Sequence, residues 1–409
     1  MTPLFHNRAF VRLWTAALLS NYGSMVRGVA LPWLAVLVLD AKPRHMALLG
    51  AASLLPGFAL GLFAAPFVDR WQRRTILVAA DLGRALLLVG VGVGALSGWL
   101  GLEALYAAAF ALGALNFLFG VANAAYLPSL VPREQLLAAN SRLKAAEAAT
   151  EGAAFASAGW LVQWLGAPVA LLVDAVSFLV SAVLIGGIDA PEGRTHPPRR
   201  TSPHGRLELT AGLREIAASR VLRPMALAAW LRAFGHQVVG VIYMLYVTRE
   251  LGFAPGPLGL VFAVGAVSSF GGAFAAQRTR GRFGPGPAMA GGLAIAGIAI
   301  ALLPLAPAAS AAGLALLVAH QLGDGADVVY DVNERSLRQR VVASDRLGRV
   351  SGSLRVGELG AMLLASAAGG WLGEALGLRA ALLLGAAGLG LAALVLAGAR
   401  GRLDHAPEA

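Results

Sequence analysis

The sequence predicts an all-α membrane protein: twelve transmembrane helices in two six-helix, pseudo-symmetric halves. Three observations carry this prediction. Of 409 residues, 57% are hydrophobic and only 13% charged, with a mean hydropathy of +0.69, which fits neither a soluble globular chain nor a disordered one. The apolar residues fall into runs of about 20 or more, the length a helix needs to cross ~30 Å of hydrocarbon. The weak alternation of a transmembrane barrel is absent, so each span satisfies its backbone as a helix. Finally, a shift of 211 residues lays "GWLVQWLGAPVALL" from Gly159 on "GWLGEALGLRAALL" from Gly370 without a gap, and Ala64-Ala65 on Ala275-Ala276.

Hydropathy and helix breakers place the elements in order. The first span, about 10–39, is too long for a signal-peptide core and has no small-residue cleavage site after it, so it is expected to stay. The second and third, about 45–67 and 74–98, flank Arg70, Arg73 and Arg74; the fourth and fifth, about 101–127 and 141–164, flank Arg133, Arg142 and Lys144. After the sixth, about 167–188, comes the only long polar segment, 189–221, with six arginines from Arg194 to Arg220 and Arg223 just after; it divides a half 1–188 from a half 222–409. The seventh to twelfth spans follow at about 222–248, 257–277, 286–305, 309–332, 351–373 and 377–398, with Arg278, Arg280 and Arg282 after the eighth and six arginines, Arg335 to Arg355, after the tenth. The opposite connections hold only Lys42, Arg44, Arg249 and Arg379. The positive-inside rule makes the arginine-rich set cytoplasmic, and an even number of spans puts both termini there too.

That asymmetry also explains the sequence pI near 11 as a topology signal, so no nucleic-acid partner is expected. Zero cysteines exclude disulfides, thiolate metal sites and cysteine nucleophiles. No HExxH, GxSxG or GxxxxGK[ST] occurs, so neither an enzyme nor a cofactor is expected. Parallel six-helix repeats joined by a polar linker are an architecture of secondary transporters, with the site between the repeats near the midplane.

"FVDRWQRR", Phe67 to Arg74, resembles the D-R-x-G-R-R/K signature of the major facilitator superfamily, with Gln72 in place of the usual glycine. The resemblance implies that Asp69 docks at the positive end of a helix in the other half, with Arg70, Arg73 and Arg74 pairing nearby acids as a conformational latch. The second copy, "RTRGRFGPGP" from Arg278, lacks the acid. "YLPSLVPREQLLAANSRL", from Tyr126, and "NYGSMVRGVALPWL" resemble the drug and siderophore exporter branch, which contains macrolide efflux and enterobactin exporters. The antiporter signature G-P-x-x-x-G is represented by "GAAFASAG", with Ala153 where proline is expected. The resemblance implies a monomeric, proton-coupled exporter of drugs or other amphipathic small molecules in a bacterial inner membrane. A siderophore exporter and an uncoupled lysophospholipid transporter are the alternatives.

Ionisable groups in hydrocarbon are costly unless they face a cavity or a partner. Glu147 and Glu151 share a face of the fifth helix, and Glu151 lies about ten residues, or ~15 Å, in from Ser141. The repeat lays Glu147 on Glu358 and Glu151 on Met362. The paired acids suit a structural task with the basic loops and latch, whereas Glu151 reads either as a proton carrier or as a packing acid. His320, Asp324, Asp327 and Asp331 form one stripe of the tenth helix. Asp331 is expected at the interface, while His320, Asp324 and Asp327 join Glu151 as candidates for proton coupling; His-x3-Asp alone is too weak to indicate a metal. Arg27 and Arg232 stay charged when buried, so each demands a carboxylate (Glu151, Asp324 or Asp327) or an anionic substrate. With His236, Asn116 and Tyr243 they form the expected substrate-contacting set. Asp81, Arg84 and Asp174 read as structural.

Overall fold

The computed structural model describes residues 4–63, 72–188 and 205–406. Among the described residues it is all-helical: α1 (Arg8–Trp33), α2 (Pro43–Phe63), α3 (Arg73–Leu96), α4 (Leu102–Leu130), α5 (Leu136–Leu165), α6 (Ala167–Gly186), α7 (Gly205–Ala218), α8 (Leu222–Leu245), α9 (Pro255–Phe283), α10 (Pro285–Ala301), α11 (Ala311–Val341), α12 (Leu347–Ala375), α13 (Leu378–Gly398) and α14 (Arg400–Asp404). All except α7 and α14 are long, which accounts for the twelve expected spans. Seven helices among the described residues are long and apolar enough to cross a membrane on length and composition alone: α3, α4, α6, α8 with its final turn, α9, α10 and α13. Of the other long helices, α1, α5, α11 and α12 each carry buried or half-buried ionisable residues, as α3, α6 and α8 also do.

The repeat is visible in local structure. Gly166 ends α5 and Gly377 ends α12, with φ of 84° and 90°; these left-handed conformations admit glycine readily and other residues at a cost. They lie one repeat apart. Likewise α1 and α8 both finish in a π-helical turn, Leu34–Val38 and Tyr246–Glu250. Packing follows the same symmetry. α1 packs on α5 and α6, and α3 on α4 and α6; correspondingly α8 packs on α12 and α13, and α10 on α11 and α13.

Two elements differ from expectation. The polar linker contains a helix, α7, because Leu209, Gly212 and Ile216 fall on one face that seats on α12. Ser353 Oγ donates to the Leu209 carbonyl (3.1 Å), Ile216 is buried, and Glu215 meets Arg346 at 3.7 Å. Helix α11 also runs nine residues past the apolar span ending near 332. The i,i+4 pairs Asp331–Arg335 (3.0 Å) and Glu334–Arg338 (3.5 Å) support this polar extension.

The chain forms two compact units. The first comprises Met1–Asp40, Leu55–Pro203 and Pro255–Ala263; the second comprises Ala41–Leu54, His204–Ala254 and Val264–Ala409. Helices α2 and α9 therefore each contribute to both. In the first unit, the start of α9 lies against Gly159 of α5, whose missing side chain leaves room for the Gly259 Cα (2.8 Å from where a Cβ would stand), and Gly256 N–H donates to Gln163 Oε1 (2.8 Å). In the second, the start of α2 lies against Gly370 of α12, with Pro43 O 3.2 Å from the corresponding Cβ position, and Arg44 meets Glu374 at 3.8 Å. Gly159 and Gly370 open the repeated "GWL" motif, which is thus a site of close backbone approach in both halves.

Candidate functional site

Each unit holds a cluster of charge within its helices. In the first, Arg84 of α3 donates from all three guanidinium nitrogens: Nε to the Ala80 carbonyl (3.3 Å), Nη1 to Asn116 Oδ1 on α4 (3.1 Å), and Nη2 to Asp81 Oδ1. Phe119 and Phe178 cover its two sides, with ring centroids at 4.1 and 4.2 Å, a cation–π sandwich favoured in a dry site. Asp81 also accepts from Ser181 Oγ of α6 (2.7 Å). Alongside, Arg27 Nε of α1 donates to Asp174 Oδ2 of α6 (2.8 Å), and Ser177 Oγ donates to Asp174 Oδ1 (3.0 Å). Asp81 and Asp174 are fully buried, Arg84 is 4% exposed and the Arg27 side chain 14%, so two arginines and two aspartates balance each other largely away from solvent. Gly23, one turn before Arg27, admits this arrangement; a Cβ there would collide with Ser177 Oγ and Asp174 Oδ1.

In the second unit, Arg232 of α8 grips Asp327 of α11 bidentately, Nε to Oδ1 at 2.7 Å and Nη2 to Oδ2, the geometry in which a guanidinium binds a carboxylate best. His236 Nε2, one turn further along α8, shares Oδ1 at 3.1 Å, and the guanidinium lies 5.2 Å from the Tyr330 ring. Toward the other end of the stripe, the His320 ring meets the Tyr243 ring at 5.8 Å. Its Nδ1 is buried with no partner among the described residues. Asp324, between the two, lies against Gly265 of α9, where a Cβ would come 2.5 Å from Oδ2. This cluster is more open than the first: the side chains of Arg232, Asp327 and His236 are 23%, 14% and 38% exposed.

The structure brings Arg232, His236 and Asp327 together, one of the pairings the sequence left open. It corrects the partner of Arg27, which is Asp174 and none of Glu151, Asp324 or Asp327, because α1 packs on α6. Asn116 contacts Arg84, and the repeat shift lays it on Asp327, so each half aims an arginine at the same place on equivalent helices, α4 and α11. Glu151 is half-exposed on α5, and among the described residues it has neither an ion-pair nor a hydrogen-bond partner. Glu147 pairs with Lys144 and Glu358 with Arg355, each on its own helix. These pairs are themselves one repeat apart. Of the latch residues, Asp69 and Arg70 lie outside the described residues; Arg74 donates to the Gly186 carbonyl at the end of α6. Two tryptophans tie helices together: Trp14 Nε1 donates to the Arg142 carbonyl (3.3 Å) and Trp230 Nε1 to that of Leu354 (3.2 Å), joining α1 to α5 and α8 to α12. Among the described residues no group of three or more His, Cys, Asp or Glu is arranged to hold a metal ion.

Asp81 and Arg84 leave a signal in the sequence, an acid and an arginine three apart inside the apolar run "ILVAADLGRALLLVGVG", where each demands a partner.

With this architecture in view, residues 13–328 match the family profile of the Major Facilitator Superfamily. The chain belongs to the Major Facilitator Superfamily. It is a multi-pass membrane protein with the major facilitator fold. An uncharacterised MFS-type transporter of Mycobacterium tuberculosis is 36% identical over 134 residues, 32% of this chain and 30% of that protein; the aligned stretch thus spans under a third of the relative's length. Two solved structures share the fold over nearly the whole chain. A bacterial homologue of the iron transporter ferroportin, in an inward-facing state, superposes with a TM-score of 0.77 at 19% identity, covering 97% of this chain and 99% of the other. A bacterial homologue of the human lysosomal transporter Spinster gives 0.72 at 17% identity, covering 99% and 98%.

Proposed function

We propose that this major facilitator protein is a secondary active transporter, a proton-coupled exporter of drugs or other amphipathic small molecules, as in the drug and siderophore exporter branch. The halves 1–188 and 222–409 flank the linker 189–221. The protein works as a monomer in a bacterial inner membrane with both termini cytoplasmic. The observation that carries the coupling is Glu151. The fully buried acids Asp81 and Asp174 each hold an arginine, as does Asp327, whereas Glu151 has no cation among the described residues. An acid in that position can take up and release a proton without first breaking an ion pair. Asp324 is the competing carrier, with His320 one turn away.

Substrate meets the open cluster of Arg232, His236 and Tyr243. There Asp327 holds two partners at once, and proton uptake shifts the balance between them, so substrate entry and protonation are coupled by exchange of ion-pair partners. Arg27 and Asn116 belong to the closed cluster and support the half that carries Glu151. Asp69, Arg70, Arg73 and Arg74, with Glu147 and Glu358, act at the arginine-rich face as the latch between conformations.

Proteoliposomes under an imposed pH gradient test this reading, with a cationic dye, a siderophore and a lysolipid as probes. Gradient-driven dye movement is expected. Glu151→Gln, which mimics the protonated acid, is expected to abolish uphill transport while leaving downhill exchange intact; full proton-driven transport by that variant transfers the role to Asp324. Movement of lysolipid indifferent to the gradient would replace the whole scheme.

A further inference from the structure

The ends of α9 and α11 hold a surplus of positive charge that the transport scheme does not use. Arg280 lies in the last turn of α9 and Arg340 in the last turn of α11, and the two helices run side by side there, with Asn333 Nδ2 of α11 donating to the Ala276 carbonyl of α9 (3.3 Å), one turn before Arg280. Neither has an ion-pair partner among the described residues, although α11 is rich in acids. Those acids are engaged elsewhere. Asp331 holds Arg335 at 3.0 Å and Glu334 holds Arg338 at 3.5 Å. Asp404, which packs at the turn between α9 and α10, accepts from Gly286 N–H (2.9 Å) at the start of α10. Arg340 is half-buried, and its Nε is buried without a partner among the described residues, a donor that carries a desolvation cost.

The negative ends of two helix dipoles help to hold these cations in place, but they do not supply a hydrogen-bond acceptor in the fork geometry that guanidinium requires. Two forks presented from adjacent helices suit a tetrahedral anion with several oxygens. Both helix ends belong to the arginine-rich face, where Arg278 and Arg282 add charge in the same stretch. Phosphate-bearing headgroups lie at the depth where membrane helices end.

We propose that Arg280 and Arg340 together bind a phosphate group on the arginine-rich face of the second unit. The test uses the full chain in phosphatidylcholine nanodiscs, with the thermal unfolding midpoint as readout. One arm adds phosphatidylglycerol to the bilayer; the other adds inorganic phosphate to the buffer against chloride of equal ionic strength. A ligand that binds only the folded state raises the midpoint. A rise in the first arm alone identifies a lipid headgroup and in the second alone a free phosphate; either supports the site, provided the rise disappears in Arg280→Gln/Arg340→Gln and survives in Arg335→Gln. A rise that persists in the double variant, or no rise in either arm, overturns the proposal. Should the double variant fail to fold, Arg280→Lys and Arg340→Lys keep the charge and lose the fork. At least a tenfold loss of affinity is then expected, and unchanged affinity refutes the site.

Discussion

Arg84 of α3 and Arg232 of α8 sit on non-equivalent helices, one in each unit, yet reach to equivalent positions on α4 and α11, and their surroundings differ. Arg84 spends every nitrogen on a partner, is sandwiched between two phenylalanines, and is sealed in a cluster of two arginines and two aspartates. Arg232 shares its single aspartate with a half-exposed histidine. A charge with no alternative partner and no water holds helices together; a charge whose acid already has two suitors is able to exchange them. The repeat supplied two equivalent frameworks, and the charges built into them differ in enclosure.

The sharpest way to break this contrast is to remove Arg84. Arg84→Ala leaves Asp81 buried and unpaired, which costs about 3–5 kcal/mol, so a steep fall in folded yield and unfolding midpoint in detergent is expected. Replacing Asp81 and Arg84 together by leucine is expected to recover much of that loss. If Arg84→Ala unfolds at the temperature of Arg232→Ala, the two clusters are not different in kind. Next in size, Asp327→Asn is expected to abolish transport in proteoliposomes while the midpoint stays near that of the parent, since Arg232 retains access to water.

A pair of glycines refines the comparison. Gly23→Ala pushes against Asp174 and Ser177 in the sealed cluster, and overpacking of this kind costs about 1–3 kcal/mol, read as a lower midpoint. Gly265→Ala meets the ends of Asp324 and Gln321, so its main effect is expected on the pH dependence of transport; a pH profile identical to the parent's would remove Asp324 from the coupling machinery. The smallest effects are expected at Lys144→Gln and Arg355→Gln. These exposed i,i+3 pairs contribute roughly 0.5 kcal/mol or less, and a larger change in midpoint at either would assign them more than local helix support.

The sequence made the helices, the repeat and the acidic stripe of α11 legible, because hydropathy and periodicity are properties of a single segment. The repeat shift also lays Glu147 on Glu358 and Lys144 on Arg355. What the sequence could not provide was which helix faces which. Asp174 lies seven residues into α6 and Asp81 eight into α3, positions that look peripheral when depth is counted along each helix, but both point into the packed interior between α1, α3 and α6. The partner of Arg27 was hidden for the same reason. The helix in the linker leaves little sequence signal, because its apolar face is short and finds its complement only in α12.

One feature of the repeat bears on how the surrounding medium acts on this protein. Gln163 and Glu374 are equivalent residues that bind the starts of α9 and α2. The first does so through a neutral hydrogen bond to a backbone N–H, the second through an ion pair with Arg44 whose side chains are 59% and 40% exposed. Dissolved ions screen exposed charges within a Debye length of ~10 Å or less at 0.1 M salt and above, and leave neutral hydrogen bonds largely untouched. A rise in salt concentration therefore loosens the fastening of α2 to α12 and leaves that of α9 to α5 largely untouched, so the surrounding medium itself distinguishes two joints that occupy equivalent places in the repeat.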